Sequence, residues 1–566
     1  MRKAILSSLL STCLLAQADL IVHNAKIVTV DQKFSYAQAM SIRGGRILAT
    51  GTNEAILRQA RAGVQRLDMK GKTILPGLMD SHVHANGAAM YEFDHPVPDM
   101  ETLAEVLHYI ADRAVVLPAG VWIRVSQVFV TRLREQRFPT RGELDKIAPR
   151  HPVYFSTGPD ASLNSLALQL SGIDRNFKVT DGKPGRVEFD TKGEPNGIVR
   201  SCERFIAYRS PDGKPTMEEK RNRLKQLLAD YNSVGITSIA DRNTSDEELA
   251  VFRQLHERKE LTTRVFVTYA VDAQLPLEQI ESKILNAAKD PLHQYNNMLW
   301  LRGVKLFLDG GMLTGSAFMQ EPWGVSKVYS IEDPTYKGMR YIAAEKLYQI
   351  ARLALKNDFQ ITAHSVGDGA VTALVDAYDR INEHDFVVRD KRPAVTHSNF
   401  MTADVIAKMK RMGIVADLQP AWLWLDGATL LKQFGDARLA YFQPYKTLIA
   451  AGVMAGGGSD HMQKIGSLRS INPYNPFWGM WITLTRAPRW MEGKLHPEQI
   501  ITREQAIQLY TINNAYLMFQ EKEKGSLEAG KLADFIVLDR DILTCPVDEV
   551  RNIRVEQTYL GGKRLN

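Results

Sequence analysis

Cysteine is scarce in this chain. Only Cys13, Cys202 and Cys545 occur in 566 residues. That excludes a disulfide framework and a cysteine-based metal site, leaving open at most one bridge between Cys202 and Cys545. Charge of one sign is not in excess either. Seventy-one Lys and Arg face 64 Asp and Glu, for a net charge of +7, and no basic block or interleaving of basic with aromatic residues occurs. A nucleic-acid partner is therefore not expected. After the first residues no apolar run is long enough to span a bilayer. Solenoid repeats and low-complexity segments are also missing, so one ordinary globular architecture must account for the length.

The N-terminus has the pattern of an export signal. Arg2 and Lys3 precede the apolar stretch from Ala4 to Leu15, and Ala16-Gln17-Ala18 is a small-x-small cleavage site. Residues 1–18 are thus expected to be removed, with the mature chain starting near Asp19 in the periplasm or outside the cell. A buried first strand is the plainer alternative. Lipid attachment through Cys13 fits poorly, because Thr12 is large for the preceding position.

Residues 19–72 are β-rich, with turns such as Arg43-Gly44-Gly45, and residues 506–566 end in the same texture after one helix. Two β-rich ends flanking a long middle predict one composite β-sandwich. The middle, residues 73–505, alternates strands with helices. Helical spacing is expected over Glu218–Val234, Ala343–Lys356, Ala370–Ile381 and Ala403–Met412. Eight strand candidates run from "KTILPGLMDSHVH" to "GVMAGGGSD". Strands alternating with helices imply parallel βαβ units, and eight of them predict an α/β fold of the (β/α)8 TIM type. An open doubly wound sheet is the alternative. Residues 87–215 exceed the eightfold count and are expected to form an insertion covering the pocket.

The strand ends carry the chemistry. His82 and His84, two residues apart on a strand, point the same way and can act on one metal ion. His364 ends "FQITAHS", His397 ends "PAVTHS" and Asp460 ends "MAGGGSD". Barrel enzymes work at the C-terminal ends of their strands. Each residue alone reads as structural; together they point to a divalent metal, zinc first, with iron, manganese, nickel or cobalt compatible. Lys305 sits on the fourth candidate strand, and its ammonium cannot ligate a cation. Asp309, Gly310 and Gly311 follow it and can approach a substrate. Gln419, Trp422 and Trp424 follow the seventh strand and can line a pocket, loop packing being the equal alternative. Asp368 reads either as a support for His364 or as a helix N-cap. His461 reads as an additional acid or base, or as a neighbour of the site.

Those motifs resemble the amidohydrolase superfamily: "GLMDSHVH", the strand lysine, two later single histidines, "GSD" and the closing "GSLEAGKLADFIVLD". More narrowly, "VKLFLDGG", "ITAHSVGDGAV" and "NPFWGMWITLTR" are similar to the branch containing N-substituted formamide deformylases. Two positions depart from that branch: Thr396, where Glu is usual, and His461, where a small or apolar residue is usual. The resemblance implies that His82 and His84 bind a first metal and that Lys305, carboxylated by CO2, bridges. It implies that His364 and His397 bind a second metal, or divide between metal and substrate. Asp460 would bind metal and shuttle protons. One or two zinc ions and a small-molecule amide are the expected cofactor and partner; a homodimer stays open. The expected activity is hydrolysis of a non-peptide carbon–nitrogen bond, in an amide or N-substituted formamide, by metal-activated water. Deamination of a heterocycle, or a barrel that only binds, are the rival expectations.

Overall fold

The structure, a computed structural model, describes residues 18–566 apart from Gln127, Pro159, Pro184, Pro211 and Asp212. The signal expected in residues 1–18 falls outside these except for Ala18. Eight parallel strands make the central sheet: β1 Leu78–Val83, β2 Ile236–Thr244, β3 Arg264–Ala270, β4 Leu299–Phe307, β5 Gln360–Ser365, β6 Ala394–His397, β7 Val415–Leu418 and β8 Ala455–Gly457. Each pairs with the next in chain order. The ring closes just past β8, where the Asp460 amide donates to His82 O and the His84 amide to His461 O, both at 2.8 Å. This is the expected (β/α)8 barrel. Its strands are buried on both faces, so their apolar residues show no strict alternation, and the polar ones among them are buried too.

The helices behave as their spacing predicts. Met217–Ser233 starts with a capping box between Thr216 and Glu219 and buries Leu224, Leu227, Leu228 and Tyr231. Gly235 follows with φ +84°, the left-handed angle that lets the chain turn into β2. Ala344–Lys356, Asp368–His384 and Ala403–Met412 lie outside later strands.

Both chain ends build the sandwich. One sheet holds Arg46–Gly51, Ala39–Arg43, Leu20–His23 and Gln65–Asp68. The other runs Lys563–Arg564, Val555–Leu560, Phe535–Leu538, Thr73–Pro76, Lys26–Val28 and Tyr36–Ala37. Val22, Ile27, Met40, Ile74, Phe535 and Val537 fill the space between them. One expectation is corrected here. The apolar run Thr73–Met79 is not a single barrel strand. Thr73–Pro76 pairs with Phe535–Leu538 in the sandwich, and only from Leu78 does the chain enter the barrel. Gly77 is the joint, and a Cβ there would stand 2.3 Å from Thr237 Oγ1.

The chain between β1 and β2 forms its own five-stranded sheet, ordered Arg186–Phe189, Pro195–Arg200, Asp160–Leu163, Val153–Ser156 and Ile123–Ser126, with its own apolar clusters. Buried Arg132 ties it to the barrel through Asp426 at 2.8 Å. Cys202 and Cys545 are free thiols, so the bridge left open by the sequence is not formed. Among the described residues no helix is long and apolar enough to cross a membrane.

Candidate metal centre

His82 is the fifth residue of β1, and His84 caps the short helix Ala85–Met90 that follows. Asp460 lies three residues beyond β8, where its φ of +58° is unusual for a residue with a side chain. That bend turns the carboxylate toward the histidines. Oδ1 of Asp460 lies 3.3 Å from His82 Nε2 and 3.2 Å from His84 Nε2. The three side chains each offer one donor atom, all within 4.8 Å of one another. Two imidazoles and a carboxylate converging from a closed strand end are a donor set suited to a divalent cation.

The remaining expected residues join them. The rings of His82 and His397 are 4.8 Å apart, and those of His397 and His364 are 4.6 Å apart. Lys305 is buried on β4 at the same end of the barrel. Among the buried polar atoms without a hydrogen-bond partner in the described residues are His82 Nε2 and Lys305 Nζ. Unpaired polar atoms in a core are costly, so two of them beside Asp460 and the histidines fit a site built for a further ligand.

Burial decides the protonation states. Desolvation pushes His82 and His397 well below the usual histidine range, and takes His364 down to about 3, with the Lys305 charge adding to it. All three are therefore neutral at neutral pH, the form that ligates metal. His84 differs: burial lowers its pKa, but the hydrogen bond and charge of Asp460 outweigh this and raise it. Burial brings the Lys305 amine down to about 7, against the pull of Asp417. That shift favours the neutral amine over the ammonium.

A layer of supports holds these side chains, and the sequence reading missed two of its members. Asp417 of β7 accepts from His82 Nδ1 at 2.8 Å and from Ser81 Oγ at 2.6 Å, which turns His82 Nε2 toward Asp460. A carboxylate inside the run "IVADLQP" was the available clue. Asn472 donates to the Asp460 carbonyl at 2.8 Å and to Oδ2 at 3.2 Å; no local pattern marks it.

Three of the proposed substrate contacts, Gln419, His461 and Trp424, lie away from the cavity, and a fourth, Asp309, is engaged by backbone amides at its edge. Gln419 is buried, and its Oε1 meets His397 Nδ1 at 2.8 Å, so it orients a histidine rather than a substrate. The Asp309 carboxylate borders the cavity but is occupied by the backbone amides of Phe318, Val366 and Gly367, each at 3.0 Å. His461 points away from the cavity: Nδ1 meets Tyr231 Oη at 2.7 Å, and Nε2 meets the carbonyls of Gln463 and Lys464. Trp424 faces a separate depression beside Trp478 and Arg489. Trp422 does border the cavity, stacked on His397 at 4.9 Å, as does Gly310, whose carbonyl lies 3.3 Å from His364 Nε2. Asp368 begins its helix and accepts the Gln320 amide, with no contact to His364 among its hydrogen bonds.

The cavity in front of the cluster measures about 580 Å³ and its wall is mostly apolar, with Phe129, Phe307, Met312 and Trp422 facing His84, His364 and Asp460. Phe129 and Gly158 come from the insertion, which therefore shapes the pocket. Its size suits a small organic molecule.

Comparison with known proteins agrees with this picture. The chain is 28% identical over 564 residues to an N-substituted formamide deformylase of Arthrobacter pascens, covering 96% of this chain and 97% of that protein. It is 26% identical over 564 residues to the Arabidopsis thaliana protein LONG AFTER FAR-RED 3, covering 97% and 91%. An uncharacterized metal-dependent hydrolase from Pyrococcus furiosus shares the fold with a TM-score of 0.65 at 23% identity, covering 93% of this chain and all of that one. The model of the amidohydrolase family matches residues 65–565, nearly the whole described chain, and the protein belongs to that family of hydrolases.

Proposed function

We propose that the protein is a metal-dependent hydrolase of small-molecule amides, with N-substituted formamides the first class to test. The observation that carries this reading is the placement of His82 Nε2 and His84 Nε2 around one Asp460 oxygen, beside the unpaired Lys305 amine, at the wall of an apolar cavity. His82, His84 and Asp460 would hold a divalent cation, zinc by donor type, and His364 and His397 would hold a second or orient the substrate. Lys305, as its carbamate, would add two oxygen donors. The cation supplies Lewis acidity, polarising a carbonyl and letting water ionise near neutral pH.

The protein's own groups do the rest. Asp460 accepts a proton from the attacking water at its carboxylate and returns it to the leaving nitrogen. Trp422, Phe129 and Phe307 enclose the apolar substituent and keep bulk water out. The net reaction adds water across a carbon–nitrogen bond, giving a carboxylate and an amine. The 28% identity to a formamide deformylase supports this bond class. Residues 1–18 belong to the same reading as an export signal, which N-terminal sequencing from the native cell envelope tests by whether the chain starts near Asp19.

The activity test uses the full chain loaded with zinc and offered N-formyl amines, longer N-acyl amines and amino-substituted heterocycles. Release of a primary amine from an amide, abolished in Asp460→Asn, is expected. Release of ammonia from a heterocycle would replace this reading with deamination. Binding without turnover of any member would leave a barrel that only binds.

A further inference from the structure

Asn472 sits where three parts of the chain meet, and its orientation is fixed by chemistry. Its Oδ1 receives Arg132 Nη1 at 2.9 Å and Trp422 Nε1 at 3.1 Å. Guanidinium and indole N–H groups only donate, so Oδ1 must face them and Nδ2 must face the other way. There Nδ2 donates to the Asp460 carbonyl at 2.8 Å and to Asp460 Oδ2 at 3.2 Å. All four residues are buried. Arg132 is itself held, with Nε and Nη2 on the Asp426 carboxylate at 3.2 and 2.8 Å and Nη1 also on the Ile471 carbonyl at 2.7 Å.

Two consequences follow for Asp460. Its backbone has a left-handed φ of +58°, a conformation that persists only when its surroundings impose it. The Asn472 bond to its carbonyl, with its amide bond to His82 O, does so. Its carboxylate is also divided: Oδ2 is taken by Asn472, and Oδ1 is left facing His82 and His84. The same amide fixes the edge of Trp422, whose face stacks on His397.

We propose that Asn472, locked by Arg132 of the insertion, is a positioning residue that sets the geometry of Asp460 and Trp422 together. The insertion then does more than cover the pocket: one of its side chains is wired to the carboxylate that would ligate metal and move the proton. This rests on the function proposed above for Asp460.

Asn472→Asp tests it, because the new carboxylate keeps the acceptor for Arg132 and Trp422 but puts an oxygen against the Asp460 oxygens. Zinc affinity of the folded, metal-free variant is measured by chelator competition, alongside kcat and KM for an amide that wild type cleaves. Loss of an outer-shell partner typically lowers metal affinity or activity about 10- to 100-fold. A fall of that size in zinc affinity or kcat, with KM little changed, is expected. Arg132→Lys keeps the charge beside Asp426 but lacks the fork to reach Asn472 too, and is expected to shift the same quantities less. It decides the matter if Asn472→Asp does not fold. A purely structural Asn472 would lower thermal stability and leave the zinc affinity and kcat of the folded protein at wild-type values, which would overturn the proposal. Asp460→Asn, run in parallel, separates the two claims: if it too keeps full turnover, the role given to Asp460 is wrong.

Discussion

Lys305 is the residue whose state the surroundings control most visibly. It is a lysine with no hydrogen-bond partner for Nζ among the described residues, buried within a histidine cluster, with its pKa brought down to about 7. A bare ammonium there would repel the cation that His82, His84 and Asp460 are arranged to hold; a carbamate would attract it. Lys305→Arg keeps a permanent positive charge and cannot form a carbamate, so it is expected to lose bound metal and turnover together. Lys305→Ala should lose both as well, and a short carboxylic acid supplied in solution should partly restore them. Metal content by elemental analysis, paired with amide turnover, reads the result. Full metal content and activity in Lys305→Arg would return this residue to a plain strand-end cation. The five strand-end ligand candidates were legible in sequence because each follows an apolar run. The roles of their supports were not: Asp417, Gln419 and Asn472 act across 335, 22 and 12 residues of chain, so only the fold shows which side chain each one meets.

At the scale of elements, the barrel strands and the four long helices followed from periodicity, since burial on both faces or on one stripe leaves a direct trace in sequence. The change of sheet at Gly77 left none. Thr73–Pro76 and Leu78–Val83 are both fully buried, so the side chains from Ile74 to Met79 run on without a polar break although they serve the sandwich first and the barrel next. Gly77 marks the crossing because Thr237 of β2 fills the space a side chain would need. Gly77→Ala must therefore displace Thr237 or shift β1 where it joins β2. Overpacking of this kind costs about 1–3 kcal/mol, which denaturant unfolding should show as a lower midpoint. An unchanged midpoint would mean that the joint between the two domains yields freely. His461 teaches a related lesson. A histidine next to a proposed catalytic aspartate invites a chemical role, but beyond the end of β8, after the left-handed bend at Asp460, it points away from the cavity, toward Tyr231 and two carbonyls.

At the scale of the whole molecule, the two domains share buried charge. Lys524, from the C-terminal segment, reaches Ser238 of β2 at 2.6 Å, close to the buried pair Arg264–Asp534. Burial, with the Arg264 charge, brings its pKa down to about 7, against about 10.4 in an unfolded chain. Between these values the unfolded state binds more protons than the folded one, so this residue's contribution to stability grows as pH rises through the window. Wild type should gain stability relative to Lys524→Met between pH 7 and about 10, read by denaturant unfolding at several pH values. A constant difference would show that Lys524 stays protonated, satisfied by Asp534.

On the function proposed above, the strand-end side chains hold a metal without which the protein does not hydrolyse its substrate. The most direct test follows metal content and amide turnover together, as the purified full chain is stripped with a chelator and reloaded with zinc. About one or two metal ions per chain are expected, the number hydrolytic sites use, with loss of turnover on stripping while the fold persists, and recovery on reloading that fails in His84→Ala. A folded, metal-free protein that hydrolyses amides at the full rate would contradict it.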